Sequence, residues 1–87
     1  MKRKSKVLNT ILEKVGNRLG ELRKRKGYDT IKDFAEDHNL PPVQYWRIEK
    51  GRSNLTVNTL VRLMDIHKLT IEEFFCFLKT KAKLKAR

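Results

Sequence analysis

The sequence predicts an all-α fold, and three observations carry that prediction. Apolar residues recur at three- and four-residue steps along the chain, and no stretch alternates with period two for long enough to make a strand. Helix-starting residues (Thr30, Thr56, Thr70) precede apolar runs, while Gly27, Asn39 and Gly51 follow them. At 87 residues, 39% hydrophobic and 36% charged with only four Gly and two Pro, the chain falls in the globular class and has room for one small domain.

The first helix is read from Leu8, Ile11, Leu12, Val15, Leu19 and Leu22, which form one apolar stripe. Its end is marked by the cationic run Arg23 to Lys26, favourable at a helix C-terminus, and by Gly27. Gly16 and Gly20 each weaken it by about 1 kcal/mol relative to Ala, so it either runs through or breaks near Gly16. A second helix opens after Thr30, with Asp33 answering in an imperfect capping box and Ile31, Phe34 and Ala35 on its inner face. It stops near His38 and Asn39, because Asn tolerates the left-handed conformation of a helix end. The third helix starts at Pro41-Pro42, where a fixed φ suits the first turn, and stops at Gly51. A fourth follows Thr56 with Val57, Leu60, Val61, Leu63 and Met64 directed inward. A fifth follows Thr70, whose capping box with Glu73 precedes Phe74, Phe75 and Leu78.

The link between the second and third helices is the informative one. About three residues must turn the chain by ~90 to 120°, the geometry of a helix-turn-helix. Asn39 supplies the turn, Ala35 permits a close crossing, and Leu40, Tyr45 and Ile48 fill the space between the helices.

Charge points to an anionic partner, nucleic acid before membrane surface, since the net charge is +11. Residues 1 to 27 carry ten Lys/Arg against Glu13 and Glu21, residues 28 to 78 carry six against eight acids, and residues 79 to 87 carry five (Lys79, Lys81, Lys83, Lys85, Arg87) and no acid. The organisation read from this is a basic helical extension over 1–14, a domain over 15–78 and a basic tail over 79–87. No apolar run approaches a membrane span, and the basic start is not followed by a signal-peptide core, so a cytoplasmic location without membrane contact is expected.

Enzymatic chemistry finds no support. The single Cys76, beside Phe75 and Phe77, reads as a small packing residue rather than a nucleophile, and it excludes an internal disulfide framework. His38 and His67 lack zinc spacing and read as helix-end residues, while Glu72 and Glu73 belong to a helix start. With no Gly-rich phosphate loop either, no catalytic, cofactor or metal residue is expected.

The segments Val15-Gly-Asn-Arg-Leu-Gly-Glu-Leu-Arg-Lys-Arg-Lys-Gly27, Asp33-Phe-Ala-Glu36, Tyr45-Trp-Arg-Ile-Glu-Lys-Gly51, Asn54-Leu-Thr-Val-Asn-Thr-Leu60 and Leu69-Thr-Ile-Glu-Glu-Phe74 together resemble the lambda-repressor-like helix-turn-helix family, also called the Xre or Cro/CI family. The resemblance covers about residues 15 to 78. It implies a five-helix DNA-binding domain of a bacterial or phage transcriptional regulator, typically a homodimeric repressor. It further implies an ion pair between Arg23 at the end of the first helix and Glu49, the acid on the inner side of the third. The sequence departs from the family where DNA is touched: Ile31 stands where Gln is common, and Pro41-Pro42-Val43 replaces a Ser-led polar opening.

Independently of the family, advancing about 100° per residue from Tyr45 sets Tyr45, Ile48 and Glu49 on one face of the third helix and Val43, Trp46, Arg47 and Lys50 on the other, with Gln44 to one side. Arg47 suits a bidentate pair to guanine, Gln44 an adenine or a phosphate, and Val43 only a thymine methyl, which leaves modest sequence specificity. Trp46 lies along the sugar-phosphate wall or leans back over its own domain. Lys50, Arg52 and Asn54 are natural phosphate contacts. With Thr30 at the opening of the second helix, the candidate DNA-binding set is Thr30, Val43, Gln44, Trp46, Arg47, Lys50, Arg52 and Asn54.

The expected partners are therefore double-stranded DNA and a second copy of the chain, the latter meeting surplus apolar surface at Leu8, Ile11 and Leu12 or at Phe77. Two other readings stay open. One is an antitoxin that binds a toxin protein as well as DNA; the other is a protein-interaction module that has lost DNA readout, which Ile31 and the two prolines would suit.

Overall fold

Helix α1 runs unbroken from Lys6 to Arg25, so neither Gly16 nor Gly20 divides it. The computed structural model describes residues 6–76. Four further helices follow, α2 (Ile31–Asp37), α3 (Pro42–Glu49), α4 (Val57–His67) and α5 (Ile71–Phe74), and among the described residues there is no strand. The chain forms two compact units, Met1–Leu55 and Thr56–Arg87.

Each helix starts and stops for a local reason. Thr30, Thr56 and Thr70 are extended N-caps whose hydroxyls accept from the backbone N–H of Asp33, Thr59 and Glu73, each at 3.1 Å. At Thr70 the Glu73 carboxylate also accepts from the Thr70 N–H at 2.9 Å, which closes the capping box. Helix α3 lacks a side-chain cap. Pro41 occupies its N-cap and Pro42 its first turn, where a missing N–H costs nothing.

Helices α1 to α4 share one kind of ending. A residue at positive φ (Gly27 at 97°, Asn39 at 58°, Gly51 at 72°, Lys68 at 56°) bonds back across one turn, and the residue after it reaches one carbonyl further. The outer bonds are Tyr28 to Arg23 at 3.2 Å, Leu40 to Ala35 at 2.8 Å, Arg52 to Arg47 at 2.8 Å and Leu69 to Met64 at 3.0 Å. This is the Schellman arrangement, which satisfies the orphan carbonyls of a helix end. The first three stops are residues that accept left-handed backbone. Lys68 is not, and no signal in its side chain announces it.

In the first unit the buried residues are Leu12, Val15, Leu19 and Leu22 of α1, Phe34 and Ala35 of α2, Leu40 of the turn, and Tyr45 and Ile48 of α3. Phe34 is the aromatic centre. Its ring meets Tyr28 edge-on at 5.4 Å and lies 5.1 Å from Tyr45 and 4.5 Å from His38. In the second unit Leu63, Met64 and Phe74 are buried, and Phe74 meets Phe75 edge-on at 4.8 Å.

Several expectations are corrected. Leu12 belongs to the core and is not surplus surface, because α1 is continuous through the 14/15 boundary and carries its stripe inward from Leu12 onward. Val57 and Val61 of α4 are exposed, at 75% and 46%, while Leu63 and Met64 carry the burial of this helix. Cys76 is exposed rather than packed. Phe77, Leu78 and the basic tail lie outside the described residues.

Helix α3 is seated on the glycines of α1. A Cβ on Gly16 would overlap the carbonyl oxygen of Glu49 and come within 2.8 Å of its carbonyl carbon, while one on Gly20 would sit 3.1 Å from a Glu49 carboxylate oxygen. Gly51 in turn lies against the α1 backbone at Glu13, where a Cβ would approach to 3.1 Å. Two single exchanges therefore have opposite signs. Gly16→Ala removes ~1 kcal/mol of helix penalty yet forces two backbones apart, and a net loss of about 1 to 3 kcal/mol is expected. Lys68→Gly relieves a left-handed Lys and gains about 1 kcal/mol. Thermal melts of both variants, shifting in opposite directions, check the pair of expectations.

Candidate functional site

The site is built on the end of α1. Arg23 is buried and its guanidinium serves three parts of the chain. Nε and Nη2 donate to the two oxygens of the Glu49 carboxylate at 2.8 and 3.2 Å, and Nη1 donates to the carbonyls of Tyr28 and Asp29 at 2.9 and 3.0 Å. The ion pair implied by the family resemblance is thus present, with side-chain exposures of only 7% and 6%. Its hydrogen bond to the Glu49 carboxylate raises the Arg23 pKa above its already high ordinary value. The Tyr45 hydroxyl is held protonated, pushed well above the usual phenol range first by burial and then by the Glu49 carboxylate.

Fixing Glu49 fixes the rotation of α3. With Tyr45, Ile48 and Glu49 buried, the remaining face must point outward, and Val43, Gln44, Trp46, Arg47 and Lys50 are all exposed. The turn that delivers α3 is equally constrained. Asn39 in the left-handed region lets Leu40 return its N–H to Ala35 and bury its side chain, so only three residues separate His38 from the start of α3 at Pro42. Below α3, Arg52 and Asn54 are exposed in the following loop, and Thr30 is exposed at the start of α2 with its hydroxyl used as a cap.

All eight sequence-predicted site residues lie in the first unit. Two of them are brought into contact: the Arg52 guanidinium lies 5.5 Å from the Trp46 ring centroid, a cation–π arrangement that holds the indole against its own domain. Trp46 stays 39% exposed and Val43 68% exposed. Together with Ile31, Lys32 and Pro42 they line an open cleft of about 350 Å³ between α2 and α3. Sequence reading missed this cleft. The apolar spacing places Ile31 on the inner face of α2, whereas it is half-buried and lines the cleft together with Trp46.

Among the described residues no group of three His, Cys, Asp or Glu is placed to hold a metal ion. Among the described residues no helix is long and apolar enough to cross a membrane. Comparison with protein families, with curated proteins and with solved structures found no match to this chain.

The support beneath α3 is testable by itself. Glu49→Ala would leave the Arg23 charge buried with two backbone carbonyls as its remaining acceptors, and a loss on the order of 3 kcal/mol is expected. The double variant Arg23→Met/Glu49→Leu should recover part of that loss, because it removes both charges. Chemical denaturation of the single and double variants reads this directly, and an unchanged midpoint for Glu49→Ala would refute the structural role of the pair.

Proposed function

We propose that this protein is a sequence-specific DNA-binding regulator of the lambda-repressor-like type, acting as a repressor and entering the major groove with α3. The observation that carries the reading is the pairing of a tight α2–α3 turn through left-handed Asn39 with an α3 whose Glu49 side is locked to Arg23 and whose opposite side is exposed. A helix presented in this way is what the major groove admits. In this reading Arg47 reads a guanine edge, Gln44 contacts a base or phosphate, and Lys50, Arg52 and Asn54 grip the backbone, with Thr30 beside the phosphates at the start of α2. The function is binding, not catalysis, and the net charge of +11 supplies the salt-dependent part of the affinity.

Selection from a randomised duplex pool tests the reading. On the selected site Arg47→Ala should cost ~1 to 3 kcal/mol and relax preference at one position, whereas Lys50→Ala should weaken all sequences alike and lower the salt slope by about one. No binding to any duplex at low salt would overturn the proposal and favour the protein-interaction reading. Equal losses on selected and random DNA would remove the base-reading role of Arg47.

The reading includes a homodimer. Two adjacent half-sites place recognition helices about 34 Å apart, and Val7 and Ile11, one helical turn apart on α1, are 69% and 37% exposed. Because Leu12 is in the core, point changes probe this better than truncation. Sedimentation of the full chain should show a dimer on DNA that Val7→Asp/Ile11→Asp converts to a monomer; a monomer in the parent protein, free and on DNA, would reject it.

A further inference from the structure

We propose that the cleft formed by Ile31, Pro42, Val43 and Trp46 is a methyl-reading slot, which takes the C5-methyl groups of thymine when α3 lies in the major groove. This rests on the DNA-binding reading above and names what that surface selects.

The first argument is chemical. Ile31 and Val43 have no polar side-chain atom, Pro42 has not even a backbone N–H, and Lys32 contributes its aliphatic stem to the wall. Trp46 offers one donor at the edge of a large apolar ring. The polar groups of a guanine, cytosine or adenine edge set against this lining would find at most the one Trp46 donor in exchange for water, and the rest are penalised as unmade hydrogen bonds. The thymine methyl is the one apolar group on the major-groove edges of the four bases. It loses nothing there and gains burial.

The second argument is position. The cleft lies between the first turn of α2 and the first turns of α3. The residue one step along from Trp46 is the base-reading candidate Arg47, so a base step read by Arg47 brings its neighbours to the slot. At about 350 Å³ the cleft holds more than one methyl, which favours consecutive A·T pairs.

The third argument decides between occupants. Cations flank the lining: Arg52 sits over Trp46 at 5.5 Å, Lys32 is exposed, its pair with Glu36 at 3.6 Å being a solvated surface contact, and the next residue along α3 after Trp46 is the exposed Arg47. An apolar slot flanked by cations fits a polyanion that projects small apolar groups, and thymine-bearing DNA has that pattern. The Arg52 stack also holds the Trp46 wall in place before binding, so little ordering is left for the complex.

The test uses the full chain and the duplex selected from a randomised pool, prepared in two forms, with thymidine or with deoxyuridine in its place. Deoxyuridine keeps every hydrogen-bonding group and lacks only the methyl. The uracil duplex should bind about four-fold more weakly per methyl buried, equivalent to ~0.8 kcal/mol. In Val43→Ser and in Trp46→Ala the thymine-to-uracil ratio should fall toward one while binding to DNA persists. Equal affinity of the parent protein for both duplexes overturns the slot and leaves DNA binding standing. A ratio unchanged in both variants also overturns it, and assigns the cleft to another occupant such as an acidic peptide. Absence of binding to either duplex at low salt overturns the slot together with DNA binding.

Discussion

Everything the exposed face of α3 presents depends on how Arg23 and Glu49 meet. One guanidinium ties the end of α1, the carbonyls of Tyr28 and Asp29, and the last turn of α3 into a single hydrogen-bonded unit. A buried pair of this kind contributes little net stability, because both charges give up water. Its contribution is orientation. Rotating α3 by one residue would bring Lys50 or Ile48 opposite Arg23 in place of Glu49 and leave a charge uncompensated, so the alternatives are excluded by cost more than the native state is favoured by gain.

That arrangement requires α1 and α3 to approach closely enough for the fork to close. Gly16 permits the approach at the backbone of Glu49, Gly20 at its carboxylate, and Gly51 admits the loop beyond α3 against Glu13. The three glycines and the ion pair form one device: the glycines set the distance and the pair sets the angle. The helix penalty at Gly16 and Gly20, which reads in the sequence as a defect, is the condition for the seat.

Legibility followed the range of the interaction. Where a residue type is suited to its own backbone conformation, the sequence displayed it: the stops at Gly27, Asn39 and Gly51, and the caps at Thr30, Thr56 and Thr70. The end of α4 was not legible, because Lys68 has no preference for left-handed backbone and adopts it under the demands of the Leu69 to Met64 bond and the capping box that follows. The seat at Gly16 was hidden for a different reason: its partner atom is a backbone carbonyl on another helix, and no side-chain pattern records it. The site divided along the same line. A helical wheel finds Val43, Trp46, Arg47 and Lys50 on one face, since that needs only the period of α3. The neighbourhood of Ile31 with Pro42 and Trp46 needs the crossing of α2 over α3, and so does the contact of Arg52 with the Trp46 ring.

The composition of that face bears on how many copies of it a regulator would need. A specific complex binds roughly 4 to 10 kcal/mol more tightly than a non-specific one. On the proposed reading, one α3 offers Arg47 to a guanine at ~1 to 3 kcal/mol of discrimination, Gln44 to a base or a phosphate, and an apolar slot contributing ~0.8 kcal/mol per methyl. With Arg47 and two methyls the face discriminates by only about 3 to 5 kcal/mol, around the lower end of the required range. The cationic residues do not close the gap, because phosphate contacts favour all sequences equally. Two such faces on adjacent half-sites reach the middle of the range, and a two-fold assembly is the simplest way to supply the second one. On the proposed reading, a face so poor in polar readout favours a dimer for specific function, with α1 as the element that carries exposed apolar surface at Val7 and Ile11 in the same unit as α3.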